Sequence, residues 1–273
     1  MSGATWPLGL LWIGSVIAVA YGSRPVSDRQ LTRWATRFDV VIAEDWRSHV
    51  SAQLRRVRTV RWGAIVVGTN LGAVEIYVAA IDLERAAGIS SPLTKMVPFA
   101  AAALGAIAAE LSLARPSGGV RSASLAVRRW TDYIDIPWIV FVGVCLPVSL
   151  AASVAMLSRP EASTQWVWLA PVGCVLAVLA ITAGINAVVD RPAVSVDVDH
   201  RHVDDALRAD SAHHIVGAAV ALAGVVTSGA LMVVVDGPGR LIPAVIAFVL
   251  LGVWFGLART ARWSVETARL QRT

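Results

Sequence analysis

The stretch from Pro137 to Leu157, PWIVFVGVCLPVSLAASVAML, runs for 21 residues without a charged side chain. A helix crosses a hydrocarbon core of roughly 30 Å with about 20 residues, so this stretch is long enough to span a bilayer. Six more apolar stretches surround it: Thr5 to Gly22, Trp62 to Ile81, Leu93 to Ala114, Gln165 to Val189, His214 to Val235 and Leu241 to Ala258. The chain as a whole agrees, since 56% of its 273 residues are hydrophobic and 16% charged, with a mean hydropathy of +0.63. Soluble domains carry about 25% charged residues, so the composition excludes that class. The expected fold is an all-α polytopic membrane protein, one membrane domain over residues 1–273 with seven transmembrane helices.

Charge gives the orientation. Segments 23–61, 115–136, 190–213 and 259–273 hold 20 of the 24 Lys and Arg residues, and they alternate with segments holding four. By the positive-inside rule the N-terminus is expected outside and the C-terminus in the cytoplasm. Lys95 is the only lysine, a bias expected of a GC-rich bacterial genome, and the expected location is the bacterial cytoplasmic (inner) membrane. The basic inner face, with a chain pI near 10.0, suits anionic phospholipids. Nucleic acid is not an expected partner, because the arginines lie at membrane junctions and not in one patch. Trp62, Trp130, Trp138 and Trp263 fall near the expected inner boundary, and Trp6, Trp166 and Trp168 near the outer one, where indoles settle. The first span is expected to be retained and not cleaved as a signal peptide, since Met1 to Trp6 carries no positive charge.

A unit recurs. Arg24-Pro25, Arg115-Pro116 and Arg191-Pro192 mark the inner ends of three spans, where proline stops the helix and arginine reaches the headgroups. His49-Val50 with Leu54-Arg55 also matches His202-Val203 with Leu207-Arg208 in spacing. The pattern suggests a threefold helical-hairpin repeat, each unit a cytoplasmic amphipathic helix, a rising span, a short outer loop and a falling span. In the first unit, Ser27 and Gln30 stand at capping-box spacing. Leu31, Trp34, Phe38 and Val41 follow at intervals of three and four, with Arg29, Arg33 and Arg37 on another face. That period predicts a cytoplasmic interfacial helix whose apolar stripe enters lipid or a partner.

Intramembrane polar groups are costly and become candidates for function. They are Glu75, Glu110, Asn70 and Asn186. At about 1.5 Å per residue, Glu110 and Asn186 lie roughly 7 to 8 Å above the inner boundary, Asn70 about 13 Å and Glu75 about 21 Å. Glu110, Asn186 and Asn70 are therefore expected in one polar belt, serving either as hydrogen-bonded packing or as part of a transport path. Gly68/Gly72 and Gly252/Gly256 are GxxxG pairs, expected to pack internally or in a dimer, internal packing being favoured.

Several mechanisms lack their residues. There is no GxxxxGK[ST], HExxH, GxSxG or SxxK, and the last span has no lysine for a Schiff base. Cys145 and Cys174 lie alone in apolar runs, and neither a metal site nor a cofactor is expected. One cytoplasmic run, containing Asp204, Asp205, Asp210 and His214, has groups that hold Mg²⁺ against a diphosphate in lipid-modifying membrane enzymes. The blander reading is a solvated acidic helix start, with Asp210 and His214 one turn apart as an ion pair. The function expected first is a non-enzymatic component of a transport or other membrane assembly, engaging a cytoplasmic or membrane protein partner, an ATPase among the candidates, through its amphipathic segments. A lipid-modifying enzyme and a sensor or anchor for a regulator are the alternatives.

Overall fold

The protein is seen in a computed structural model that describes residues 5–81, 92–113, 129–134, 136–158, 168–191, 198–235, 239 and 241–260. Every described element is helical. They are α1 (Thr5–Ser23), α2 (Asp28–Phe38), α3 (Glu44–Ile81), α4 (Pro92–Leu113), a 3₁₀ turn (Trp130–Asp132), α5 (Ile136–Met156), α6 (Leu169–Val189), α7 (Val198–Val234) and α8 (Leu241–Thr260). Among the described residues, each of the seven apolar stretches lies mainly on a helix. Among the residues whose side chains are described, three segments are long and apolar enough to cross a membrane, namely Trp138–Met156, Leu169–Val189 and His200–Met232; Ile13–Ser23 and Phe99–Leu111 are shorter apolar helices. These mark the chain as a membrane protein.

The hub is α7, packed against α4, α5, α6 and α8, while α3 lies on α4 and α1 on α3. Of the apolar window of α7, 94% is buried, against 22% for α5. Its upper half, Gly217 to Ala230, is built almost entirely of Gly, Ala, Val, Ser and Thr, and small side chains let neighbouring backbones approach closely. The same logic joins α3 to α4, where a Cβ on Gly105 would overlap that of Ala64. Gly252 and Gly256 differ from expectation: a Cβ at either would meet nothing within 4 Å. Close packing inside the bundle uses other glycines.

The last part of the first segment expected in the cytoplasm, from Glu44, and the apolar stretch that follows it form one helix, α3, of 38 residues, and the third segment from Val198 does the same in α7, of 37 residues. In the second unit the described residues instead pass through a 3₁₀ turn before α5 begins at Ile136. The expected capping box on α2 is present, Ser27 Oγ accepting from the Gln30 amide and Gln30 Oε1 from the Ser27 amide. Helix α2 ends sooner than the apolar period suggested. Asp39 takes the left-handed conformation at φ 51°, its amide bonding back to the last turn, so Val41 lies beyond the helix and is 85% exposed.

Candidate functional site

The arginine-bearing amphipathic helix meets the acidic run of α7 at the base of the bundle. Asp210 is the meeting point. Its Oδ1 accepts from Arg37 Nη2 at 2.6 Å, and its Oδ2 accepts from Trp34 Nε1 at 3.3 Å. One turn along α7, His214 Nε2 stands 3.7 Å from Asp210 Oδ1 and 3.0 Å from Arg61 Nη1 of α3. Arg61 also donates to Glu110 Oε1 on α4, and Ser211 adds a side-chain hydrogen bond to the same carboxylate. Two guanidiniums and two carboxylates thus neutralise one another across α2, α3, α4 and α7. Such balance is the condition for keeping charges out of water. Glu110, 1% exposed, is held between α3 and α4 by its contact with Arg61.

A second cluster lies toward the start of α7. Arg208 is fully buried and grips Asp204 Oδ2 through Nη2 at 2.7 Å and Nε at 3.1 Å. Its Nη1 donates to the carbonyls of Val188 and Val189 at 2.9 and 3.1 Å, filling acceptors that a helix C-terminus otherwise leaves empty. Arg191 donates to the other oxygen of Asp204, and Tyr133 OH donates to Asp205 Oδ1 at 3.1 Å. The expectation of a solvated acidic start is therefore overturned, because Asp204 is 2% exposed and its charge is matched by two arginines. The same pairing places cationic donors on both oxygens of Asp204, which opposes a metal ion there. Among the described residues no three His, Cys, Asp or Glu side chains converge as metal ligands.

Among the described residues, two side-chain contacts join the long helices in their N-terminal halves. At their tips Trp46 of α3 stacks on His200 of α7, ring centroids 4.5 Å apart and planes within 12°, and His200 Nε2 lies 3.5 Å from Asp45 Oδ2. The second contact is Arg61 with His214, residues separated by 153 positions. His49 and His202 have that separation too, and shifting Ile81 by 153 positions gives Val234, the last residue of α7.

Helix α2 crosses this pair. Gln30 Oε1 accepts from Arg58 of α3 at 3.3 Å, while Trp34 and Arg37 reach Asp210 of α7. Arg58 and Asp210 lie about one turn before the Arg61–His214 contact, so α2 runs across both long helices at one level. Leu31, Trp34 and Phe38 are buried in the same core cluster as Val203, Ala206 and Leu207. The apolar stripe expected to enter lipid or a partner is covered by the chain itself, drawn inward by its hydrogen-bonding tryptophan and by Arg37. Arg29 and Arg33 remain exposed.

The polar belt does not form as expected. Asn186 is exposed on α6, whereas Glu110 is buried, so the two do not share an interior. Asn70 pins α1 to α3, its Nδ2 donating to Ser15 Oγ and to the Val66 carbonyl, each at 2.8 Å. Glu75 lies on α3, with its side chain outside the described residues. Arg61, Arg191, Arg208 and Tyr133 were missed as site residues. For Arg61 the shared 153-residue offset was the available signal, because it aligns Arg61 with the already suspected His214, and for Arg208 it was the i,i+4 spacing from Asp204.

No family model matches the chain, and comparison with curated proteins and with solved structures finds no match.

Proposed function

We propose that the chain is a seven-span protein of the bacterial cytoplasmic membrane, N-terminus outside, acting as a non-enzymatic component of a transport or other membrane assembly. A cytoplasmic protein, an ATPase among the candidates, docks on the cap made by α2 and the projecting halves of α3 and α7. The observation that carries this reading is helix continuity. With 38 and 37 residues, the long helices measure about 57 and 55 Å at about 1.5 Å per residue. A hydrocarbon core takes roughly 30 Å, which leaves each about 25 Å in the cytoplasm. The buried charges fasten α2 and α4 to these rods at the level where they leave the bilayer.

The shared 153-residue register supports reading the hairpins α3–α4 and α7–α8 as repeats, with α5–α6 as a third unit whose cytoplasmic helix does not continue into the span. The enzyme alternative is weakened because Asp204 already balances two arginines. Partner docking centres on the elbow after α2, where a groove of about 420 Å³ is lined by Thr36, Asp39, Val40, Val41 and Arg47 among others. Val41 is an apolar side chain exposed away from the apolar helices. The test is purification of the full-length protein in mild detergent with a photo-crosslinker at position 36, in the same groove. A defined cytoplasmic protein crosslinked there, and lost on Val41→Asp while the protein still inserts, is the expected result. The same recovery with Val41→Asp, or none with the native chain, refutes the reading.

A further inference from the structure

Helices α1 and α3 enclose a groove of about 450 Å³ lined by Ser15, Val16, Val19, Ala20, Val66 and Asn70. The Ser15–Asn70 hydrogen bond closes one end. At the other, Tyr21 meets Trp62 edge-on at 5.5 Å between centroids, and a Cβ on Gly22 would crowd the Trp62 side chain. Val16 and Val19 are exposed along the groove. Arg24 is the first residue after α1, four positions beyond Ala20. Arg29 is the second residue of α2, next to Asp28.

Arg58 builds this corner. It donates to the carbonyls of Gly22 and Arg24 and to Gln30 Oε1, so the end of α1 and the start of α2 are tied to one guanidinium. Arg24 and Arg29 are both exposed, and neither forms an ion pair with a described residue. An apolar groove thus leads into a corner with net positive charge, Arg24, Arg29 and Arg58 against Asp28, at the height of the expected inner boundary. An inorganic anion would use the corner and leave the groove bare. A neutral lipid would use the groove and leave the charge unmet.

We propose that this groove and corner hold one anionic phospholipid of the inner leaflet, its phosphate at Arg24 and Arg29 and an acyl chain along Val16, Val19, Ala20 and Val66. The assignment rests on the membrane orientation proposed above. Arginines near an anionic headgroup each contribute about fivefold in affinity, so two give a preference of about twenty-five-fold.

Native mass spectrometry of the delipidated full-length protein, titrated with phosphatidylglycerol or phosphatidylcholine, reads that preference directly. The native chain should favour phosphatidylglycerol for its first bound lipid by about that factor. Arg24→Gln with Arg29→Gln should bind both lipids alike, and Val19→Trp should weaken both. Equal affinity of the native chain for the two lipids, or an unchanged preference in the double variant, overturns the assignment. A cysteine at position 29, probed with an impermeant thiol reagent on intact cells, tests the orientation separately. Labelling from outside overturns the orientation and the lipid site together, whereas protection with no lipid preference overturns the lipid site alone.

Discussion

Replacing Arg208 by methionine removes a side chain that is 0% exposed and holds two different structures at once. Asp204 loses its close partner at 2.7 Å, and the carbonyls of Val188 and Val189 lose their donor. Breaking a buried ion pair costs about 3 to 5 kcal/mol, and an orphaned buried acceptor about 1 to 3 kcal/mol. The terms do not add in full, because Arg191 stays on Asp204 and methionine refills part of the volume. A net loss of about 4 kcal/mol follows. At about 2 to 4 °C per kcal/mol for a chain of this size, that lowers Tm by roughly 8 to 16 °C. The assay is thermal unfolding in detergent, followed by the fluorescence of the 11 tryptophans. Arg208→Lys keeps the charge without the planar fork and should lose about half as much. Arg55→Met, on an exposed face of α3, should change stability by less than about 0.5 kcal/mol. An Arg208→Met protein melting within about 2 °C of the native one would show that the cluster is not structurally required.

The other expectations concern neighbouring contacts. Glu110→Gln leaves Arg61 without its carboxylate and should cost about 3 kcal/mol, with part of the loss recovered by adding Arg61→Met; equal melting of the single and double variants would argue against the pair. Gly105→Ala should destabilise by about 1 to 3 kcal/mol, and Ala64→Gly should rescue it, since the clash lies between those two positions. Asp210→Asn weakens the hold on Trp34 and Arg37, so trypsin should cut after Arg29 or Arg33 faster than in the native chain; unchanged cleavage rates would mean that the apolar stripe alone retains α2. In a background lacking Cys145 and Cys174, a cysteine at Ser163 should react with an impermeant reagent on intact cells and one at Ser124 should not, and the reverse pattern would invert the topology.

Local patterns in this sequence were legible and their partners were not. The α2 helix could be read from Ser27, Gln30 and the spacing of Leu31, Trp34 and Phe38, because a cap and an amphipathic period are properties of neighbouring residues. What covers that stripe depends on Asp210, which lies 176 positions from Trp34, and no local period carries that information. The acidic run misled for the same reason. Aspartates at a helix start usually face water, but here Arg191 and Arg208 neutralise Asp204. Arg208 itself stands at the fourth residue of the i,i+4 pair with Asp204, so half of that cluster was readable from helical spacing. The central position of α7 was also encoded, in the small side chains on every face of its upper half. Hydropathy alone does not distinguish such a helix from its more exposed neighbours.

The contact between Arg61 and His214 divides both long helices almost equally. From Glu44 to Arg61 is about 26 Å and from Arg61 to Ile81 about 30 Å, and in α7 His214 leaves about 24 Å on one side and 30 Å on the other. A stiff rod held near its middle is a balanced lever. A sideways push of a given size at the Trp46–His200 tip, rotating the rod about that fulcrum, would carry its far end a slightly greater distance in the opposite direction. In the proposed topology the connection would transmit displacement from one side of the bilayer to the other without either helix bending or unwinding.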